Sequence, residues 1–284
     1  MDNILGNLST ATSEECKAIE RSLITTYRRR IWAKFVAAIK EYRLIQDGDK
    51  IAVCISGGKD SMLLAKCMQE LKAHGKDNFE VVYLVMDAGY NSANREMIEK
   101  NAALLNLPIE IFETDIFNIA ASAENNPCYL CARMRRGYLY KNAKRLGCNK
   151  IALGHHFDDV VETVMLGMLY NGRIRTMMPK LQSKNYEGME LIRPLYHVRE
   201  KDIIAWKNYN KLEFLQCACR FTESGREEDS KRLEMKNLIK RLEGEHKGAA
   251  ANIFRSMYNI DLSTIISYKK QGKEIHFLDD YDKE

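Results

Sequence analysis

The chain has 284 residues, of which 45% are hydrophobic and 29% are charged, a composition typical of a globular protein with a substantial core. With only four prolines and 16 glycines, a low-complexity or collagen-like chain is excluded. No apolar run reaches the roughly 18 residues of a membrane span. The first residues, MDNILGNLSTATSEEC, lack the basic and apolar regions of a secretory signal. We therefore expect a cytoplasmic protein that has no membrane partner.

The formal net charge of +5 is unevenly distributed along the chain. Residues 128–184 carry 11 lysines and arginines against three acids, whereas the last nine residues, HFLDDYDKE, carry four acids and one lysine. A basic middle region indicates a polyanionic partner, such as nucleic acid, bound over that part of the chain. The alternative is an ordinary solvated surface followed by an acidic tail.

The first predicted element is a helix over residues 15–45, with basic residues 28–30 inside it. Its apolar positions recur at a spacing of four: Ile19, Leu23, Tyr27, Ile31, Phe35 and Ile39. Strands and helices then alternate. The pattern predicts strands at 51–55, 81–86, 109–113, 150–154, 191–195 and 213–217. It predicts helices at 59–74, 92–105 (with Ser92 as the N-cap), 131–146, 158–170, 200–210 and 225–246, with further helical turns after the last.

This βαβα order predicts an α/β fold in which helices cover both faces of an open parallel sheet. We expect a helical segment over residues 1–48, an α/β domain over 49–222, and a helical segment over 223–284 that ends in the acidic tail. Ligands of such open sheets bind at the carboxyl ends of the strands.

The first strand-to-helix turn, SGGKDS at residues 56–61, has the composition of a phosphate site. Its glycines allow close approach of the backbone, and free N–H groups at a helix N-terminus attract anions. Lys59 adds a cation, but Asp60 would repel phosphate unless a divalent ion lay between them. The turn matches neither the Walker pattern nor the Rossmann pattern. It favours magnesium-bound pyrophosphate, and the alternative is a plain glycine turn.

A second polar segment, GHHFDDVVET at residues 154–163, follows the fourth predicted strand. Gly154 would let a nucleotide lie against the strand end. Asp158 and Asp159 could orient magnesium or the attacking groups. The alternative explanation is helix capping together with hydrogen-bonded loop side chains.

The eight cysteines of a chain with cytosolic character do not suggest a disulfide framework. Cys128 and Cys131 form a C-x-x-C pair, while Cys217 and Cys219 form a C-x-C pair, which is a poor zinc knuckle. Three cysteines would suit a [4Fe–4S] cluster that leaves one iron open. The remaining four are interpreted as small core residues: Cys16, Cys54, Cys67 and Cys148.

Taken together, these segments resemble known proteins. SGGKDS after a buried strand is similar to the signature of the ATP pyrophosphatase (PP-loop) superfamily, whose fold is adenine nucleotide alpha hydrolase-like. Adding CYLCARMRRGYLYKNAKRLG, KIALGHHFDDVVET and IRPLYHVREKDI, the chain resembles the tRNA 2-thiocytidine synthetase family over roughly residues 20–225. Zinc ribbons like those of the 2-thiouridine branch are missing from the sequence, and the lysidine synthetase branch lacks the cluster cysteines.

The resemblance implies an ATP-dependent and iron–sulfur-dependent tRNA sulfurtransferase. Such an enzyme adenylates a base carbonyl, here expected to be cytidine C2 in the anticodon loop, and replaces the oxygen by sulfur. The sulfur comes from a cysteine desulfurase or another donor. We expect ATP, Mg²⁺ and a [4Fe–4S] cluster as cofactors, tRNA as partner, and consider a homodimer. Alternatives are thiolation of a uridine or of a small molecule, and a zinc-holding nucleotide-binding protein without turnover.

The resemblance also assigns residues. Those implied for ATP are Ser56, Gly57, Gly58, Lys59, Asp60, Ser61, Met86, Arg135 and Gly154, with Lys59, Asp60 and Asp159 as the catalytic residues. The cluster ligands are Cys128, Cys131 and Cys217. The family carries C-x-x-C at the late position, so the C-x-C here leaves Cys219 as the reserve ligand. Residues expected to hold the tRNA backbone are Arg133, Arg136, Arg173, Arg175 and Lys180, with Tyr129, Tyr138 or Tyr170 available for base stacking or, alternatively, for core packing.

Overall fold

A computed structural model describes residues 3–75, 77–121, 127–215 and 231–281. Within these ranges, no helix combines the length and the apolar character needed to cross a membrane.

One six-stranded sheet forms the centre of the fold. Its strands are β1 (Lys50–Ile55), β2 (Glu80–Asp87), β3 (Ile109–Glu113), β4 (Lys150–Ala152), β5 (Lys180–Gln182) and β6 (Glu190–Ile192). The order across the sheet is β3-β2-β1-β4-β6-β5, and every neighbouring pair is parallel except β5 with β6. The predicted α/β sheet is therefore confirmed. The antiparallel edge strand β5 was missed because three residues carry no readable periodicity.

Eleven α-helices are present in the described residues. They are α1 (Asn3–Ile24), α2 (Ala33–Glu41), α3 (Lys59–His74), α4 (Ser92–Leu104), α5 (Ile116–Ala121), α6 (Pro127–Arg145), α7 (Phe157–Asn171), α8 (Glu200–Tyr209), α9 (Lys231–Glu245), α10 (Ala249–Ser256) and α11 (Leu278–Tyr281). A hairpin of β7 (Ser267–Lys270) and β8 (Lys273–His276) lies near the end of the chain. The C-terminal segment predicted to be helical thus contains this hairpin in addition to α9, α10 and α11.

The hairpin turn has a simple local cause. Gln271 and Gly272 link β7 to β8 and both have positive φ, at 53° and 84°. Two consecutive positive φ angles belong to the turn that matches the right-handed twist of a two-residue hairpin. The residue pair Gln-Gly was the available signal, and it is weaker than Asn-Gly.

The predicted N-terminal helix is interrupted but keeps its apolar stripe. A π-helical turn, Arg28–Trp32, separates α1 from α2, and the stripe from Ile19 to Ile39 is buried along its whole length. In an α-helix, residues spaced by four drift by about 40° per repeat around the axis. The wider π turn rotates less per residue and therefore offsets this drift. The interruption thus keeps the stripe facing the core.

Two smaller predictions also need correction. Asn91, and not Ser92, is the N-cap of α4, since its side chain accepts a hydrogen bond from the N–H of Asn94 at 2.7 Å. The described part of the strand expected over 213–217 is not a strand. Instead, Leu215 donates its N–H to the carbonyl of Gly57 at 3.2 Å. Residues 216 and 217 lie outside the described part of the chain.

The sheet separates two cores. Val53 and Ile55 pack on the face covered by α1 to α4 and α8, while Ala52 and Cys54 pack on the face covered by α6. The four cysteines interpreted as core residues are all buried, which confirms that prediction: Cys16, Cys54, Cys67 and Cys148.

A buried lysine links the N-terminal helix to the sheet domain. Lys66 of α3 has no solvent exposure, and its ammonium contacts Glu20 of α1. It also donates to Gln69 Oε1 at 2.6 Å and to the Leu105 carbonyl at 3.1 Å. Burial of an ammonium is costly unless its charge is paired. Glu20 therefore supplies the charge that lets α1 dock on α3.

Removal of this carboxylate should destabilise the fold measurably. We expect Glu20→Ala to lower the free energy of unfolding by about 3 kcal/mol, because the Lys66 charge stays buried without a counterion. Lys66→Met in the same background removes that charge and should restore most of the loss. Urea denaturation measures both effects. The control Glu80→Ala removes a carboxylate from an exposed pair with Lys50 and should cost less than about 1 kcal/mol. Equal losses in Glu20→Ala and the control would contradict this role.

Candidate active site

The site forms at the carboxyl ends of β1 and β4, where the strand order reverses. Gly154, two residues after β4, lies against the first turn of α3. A Cβ on residue 154 would be 3.0 Å from the carbonyl carbon of Asp60 and from the amide nitrogen of Ser61. A side chain at this position would therefore press on the backbone of the first turn of α3, and glycine allows the close approach without displacing it. The sequence predicts that Gly154 makes room for nucleotide, whereas in the structure it first makes room for protein backbone.

The hydroxyl of Ser61 organises the glycine turn. Ser61 Oγ accepts the N–H of Ser56 at 3.1 Å and donates to the carbonyl of Gly58 at 2.9 Å. Gly58 is the N-cap of α3, so the helix begins directly after the turn. Gly57 has φ of +84°, and a Cβ there would meet Ile98 Cγ1 at 2.7 Å and Leu215 Cδ1 at 2.8 Å. The turn is therefore confined by the Ser61 hydrogen bonds and by the side chains of Ile98 and Leu215, and it ends at the N-terminus of α3.

Lys59 is engaged by carboxylates in this structure. Its ammonium lies 3.1 Å from Asp60 Oδ2 and 3.1 Å from Glu200 Oε1 of α8. Although burial opposes the charged form, these two carboxylates raise the pKa of Lys59. Burial likewise opposes ionisation of Glu200, but Lys236 and Lys59 hold the pKa of that carboxyl at about 2. The pair is therefore fully charged near neutral pH.

The GHHFDD segment mainly caps helices. The N–H of His156 donates to Asp159 Oδ2 at 2.9 Å, and His156 Nδ1 accepts the N–H of Asp159 at 3.4 Å, which forms a capping box for α7. Asp158 accepts the N–H of Glu200 at 2.7 Å and contacts Arg199 at 3.1 Å. These contacts favour the helix-capping alternative stated for this segment.

Asp159 has a further charged partner. Its second carboxylate oxygen pairs with Arg232 of α9, whose Nε also lies 2.8 Å from Glu162. Burial acts to raise the pKa of Asp159, but its interactions with His156, whose backbone N–H donates to it, and with the Arg232 guanidinium hold that pKa below its ordinary value. The carboxylate is thus ionised and paired while one edge of it faces the cleft.

A cleft of about 700 Å³ opens beside the glycine turn, between the sheet and α6. Its lining combines residues predicted from different motifs. The predicted ATP, catalytic, cluster and tRNA residues that line it are Ser56, Asp60, Ser61, Met86, Cys131, Arg135, Arg136, Gly154 and Asp159. Gly57, Gly58 and Lys59 are not among its lining residues. Oδ1 of Asp60 is buried and has no hydrogen-bond partner among the described residues.

The two residues that end β2 have distinct roles. Met86 is 2% exposed and lines the cleft at the end of β2. Asp87 accepts the N–H groups of Gly89 at 2.9 Å and Tyr90 at 2.8 Å. It also lies 3.0 Å from Arg95. Asp87 therefore caps the turn that follows the strand.

Only part of the predicted cluster site can be placed. Cys131 is buried at the cleft, and Cys128 lies one helical turn earlier in α6. Cys217 and Cys219 lie outside the described residues, and Leu215, whose N–H reaches Gly57, is two residues before Cys217 in the sequence. Among the described residues, no three histidine, cysteine or acidic side chains meet as a metal site.

The predicted tRNA residues are dispersed. Arg133, Arg173 and Arg175 are exposed, and Arg136 is exposed at the cleft rim. Lys180 donates to the carbonyl of Arg43 at 3.2 Å. As expected from their spacing, the arginines of α6 do not all face one way, since Arg133 is not a lining residue.

The tyrosines proposed for stacking are engaged by protein. Tyr138 packs on the apolar cluster around Met86 and Cys131. Tyr170 donates to Glu234, and Lys231 lies 4.6 Å above its ring. These contacts favour the alternative of core and helix packing for both residues. The side chain of Tyr129 lies outside the described part of the chain.

The sequence did not identify two polar residues of the lining as site residues: His155 and Arg193. Burial, with the neighbouring Arg193 charge, lowers the pKa of His155 to about 4, so its imidazole is neutral near pH 7. Arg193 follows β6 directly and is 7% exposed. Its position after a short buried strand, at the carboxyl end, was the available signal.

Comparison with known proteins decides the family. Residues 27–219 match the PP-loop domain family. The chain belongs to the PP-loop family. It is also 33% identical over 250 residues to a tRNA-cytidine(32) 2-sulfurtransferase from Shewanella baltica, covering 87% of this chain and 79% of the relative. A tRNA-cytidine(32) 2-sulfurtransferase from Geotalea uraniireducens is 34% identical over 246 residues, covering 85% and 94% of the two chains. Within the PP-loop family, the chain therefore belongs to this sulfurtransferase family.

A solved structure supports the fold. The U34-tRNA thiolase NcsA from Methanococcus maripaludis, solved with its [4Fe-4S] cluster, superposes with a TM-score of 0.63 at 20% sequence identity. The alignment covers 81% of this chain and 79% of that PP-loop protein. At this identity the likeness establishes the shared fold.

The glycine turn yields a direct test. We expect Gly57→Ala to lower the free energy of unfolding by about 1–2 kcal/mol for the positive φ and by a further 1–3 kcal/mol, roughly, for the contacts with Ile98 and Leu215. Gly48→Ala is the matched control, because Gly48 has the same φ of +84° and a Cβ there would meet nothing within 4 Å. Chemical denaturation of both variants gives the difference. Equal losses would show that Ile98 and Leu215 do not confine the turn.

Proposed function

We propose that this protein is an ATP-dependent tRNA sulfurtransferase. It adenylates the C2 carbonyl of a cytidine in the anticodon loop and replaces that oxygen by sulfur, with release of pyrophosphate and AMP. The observation that carries the proposal is the cleft in which the glycine turn, Cys131 and the α6 arginines meet. The sulfurtransferase relatives, which cover most of the chain, support this substrate and reaction.

ATP is assigned to the glycine turn and the adjacent cleft. The free N–H groups at the start of α3 suit the pyrophosphate portion, and Met86 lies where the adenine would rest. Mg²⁺ would fit beside them, because Asp60 lines the cleft and its Oδ1, a hard oxygen ligand, has no hydrogen-bond partner among the described residues, although His156 Nε2 lies 3.7 Å from it. When bound, the ion would neutralise charge on the phosphates. Lys59 can assist only if its ammonium turns from Glu200 towards the nucleotide.

Arginines of α6 complete the nucleotide site. Arg135 and Arg136 line the cleft wall opposite the sheet, so their charges can stabilise the negative charge that develops as pyrophosphate leaves. Asp159 is held ionised by His156 and Arg232. We propose that Asp159, at the start of α7, shapes the lining of the cleft in addition to the catalytic role first expected for it.

The residues also fit a [4Fe–4S] cluster. Cys131 brings a buried sulfur to the cleft, and Cys128 lies at the helical spacing that suits a shared site. Cys217 is the proposed third ligand, with Cys219 as the reserve. Cys128, Cys131 and Cys217 would hold such a cluster, and its remaining iron would supply a position for the sulfide that replaces the adenylated oxygen as AMP leaves. NcsA, a PP-loop protein of the same fold, carries a cluster of this type.

The tRNA would lie across the rim of the cleft. Four arginines are exposed and can contact phosphates: Arg133, Arg136, Arg173 and Arg175. The ammonium of Lys180 donates to the carbonyl of Arg43. Exposed apolar side chains beside them, Met168, Leu169, Ile174 and Met178, offer contact surface for splayed bases. Delivery of sulfur by a cysteine desulfurase or another donor stays a prediction. Assembly into a homodimer also stays a prediction.

Mass spectrometry of tRNA nucleosides tests the function. Cells that lack this gene should lose 2-thiocytidine and keep their other thionucleosides, and the intact gene on a plasmid should restore it. Loss of a thiouridine instead would contradict the assigned base. An unchanged thionucleoside profile would overturn the tRNA substrate.

The cluster ligands can be tested separately from ATP binding. We expect Cys128→Ala and Cys131→Ser to lose the visible iron–sulfur absorption and at least about 100-fold of the thiolation rate, on the order of the loss of an essential group. ATP affinity, measured by calorimetry, should change less than about threefold, since neither thiol belongs to the glycine turn. Cys148→Ala, at a buried cysteine away from the cleft, is the control. Stoichiometric zinc without iron in anaerobically purified protein would contradict the cluster.

A further inference from the structure

A buried arginine at the cleft is not used by the proposed chemistry. Arg193 follows β6 directly, and its backbone N–H donates to the carbonyl of Pro179 at 2.9 Å. Its guanidinium donates from Nη1 to the carbonyl of Met178. Nε is buried and has no partner within the described residues.

Arg193 also lacks a counterion in the described part of the chain. No carboxylate of those residues makes an ion pair with it, although the other arginines that contact the site segments, Arg199 and Arg232, are each paired with an aspartate. Asp159, an acid that lines the same cleft, is engaged by His156 and Arg232. Buried charges in proteins are ordinarily paired or bound to an ion. An uncompensated guanidinium at a cleft therefore indicates an anionic ligand.

The register of the sheet points this side chain into the cleft. Ala152 of β4 is paired with Ile192 of β6, so residues 153 and 193 are neighbours across the ladder. Leu153, Leu191 and Arg193 all line the cleft, as expected for alternate residues on one face. Arg136 lines the opposite wall on α6. Together with Arg135, also on α6, three arginines thus line the volume beside the glycine turn.

A second unpartnered group lies on the same wall. His155 Nδ1 is buried, lines the cleft and has no hydrogen-bond partner in the part of the chain that the structure describes. Each unsatisfied buried polar atom costs about 1–3 kcal/mol. Phosphate oxygens accept hydrogen bonds from both imidazole and guanidinium N–H groups, and Arg binds them in a planar, bidentate manner.

We propose that Arg193 binds a phosphate group in this cleft, together with His155 and with Arg136 from the opposite wall. The inference rests on the proposed function, because it takes the cleft to be the nucleotide site. The phosphate has two possible sources: the α-phosphate of ATP and of the adenylated base, or the phosphodiester beside the target nucleotide of the tRNA. Both present the same oxygens to Arg193.

Binding experiments distinguish the two sources. Arg193→Met, Arg193→Lys and the control Arg145→Met, at an exposed residue of α6 paired with Glu110, are compared by calorimetry with AMP and adenosine and by filter binding with tRNA. An α-phosphate ligand predicts a loss of AMP affinity on the order of 10- to 100-fold in Arg193→Met, with adenosine and tRNA unchanged. A tRNA phosphodiester predicts unchanged AMP affinity and a salt dependence of tRNA binding that is shallower by about one charge.

The lysine variant separates binding from a structural role. Arg193→Lys keeps the charge and should keep part of the lost affinity, whereas a residue that only fixes the Met178 carbonyl would affect thermal stability without affecting either ligand. Unchanged AMP and tRNA affinities in folded Arg193→Lys and Arg193→Met overturn this proposal and leave the proposed function standing. Wild-type protein that binds neither AMP nor tRNA overturns both.

Discussion

The close approach of Gly154 to the first turn of α3 is the constraint on which the site depends. Backbone atoms of Asp60 and Ser61 occupy the space where a side chain of residue 154 would begin. Because this contact joins the loop after β4 to the helix after β1, the two polar segments form one continuous wall at the point where the strand order reverses. The glycine turn alone would offer a helix N-terminus, but the cleft exists only where the second segment closes against it.

Ion pairs then connect this wall to the C-terminal part of the chain. Glu200 of α8 lies between Lys59 of α3 and Lys236 of α9, and Arg232 of α9 pairs with Asp159 and Glu162 of α7. Helix α9 therefore neutralises Glu200, which pairs with Lys59 of the first polar segment, and two acids of the second polar segment. The C-terminal helical segment, which the sequence presented as an appendage to the α/β domain, contributes to the charge balance of the site. Repulsion among these acids would otherwise oppose their burial.

Most of the fold could be predicted from local patterns in the sequence. A short continuous apolar run located β1, and apolar residues at a spacing of four located the buried N-terminal stripe, because such patterns belong to residues that are neighbours in the sequence. Features that depend on geometry beyond that range were missed. The π turn at Arg28–Trp32 arises from the need to keep the stripe aligned, and β5 exists only because β6 offers it a ladder. For the same reason the cleft residues named by motif were largely found, whereas the partners of Lys59 and Asp159, on α8 and α9, could not be read from sequence.

Hydrogen-bond and ion-pair partners distinguish the polar side chains that stabilise the protein around the cleft from those that are free to bind a ligand. Lys59, Asp158 and Asp159 are the most conspicuous charges of the motifs, and the structure satisfies each of them with protein partners. In the described part of the chain, unsatisfied buried atoms of the cleft belong instead to Asp60, His155 and Arg193. A fold that leaves a buried donor or acceptor empty gives up about 1–3 kcal/mol for each, and a ligand that fills these positions recovers that loss on binding. The carboxylate oxygen of Asp60 matches a cation, the neutral imidazole of His155 matches a hydrogen-bond acceptor, and the guanidinium of Arg193 matches an anion. Magnesium and a nucleotide phosphate together present these three groups. The atoms that the protein does not satisfy therefore specify the ligand more closely than the motif charges that it does.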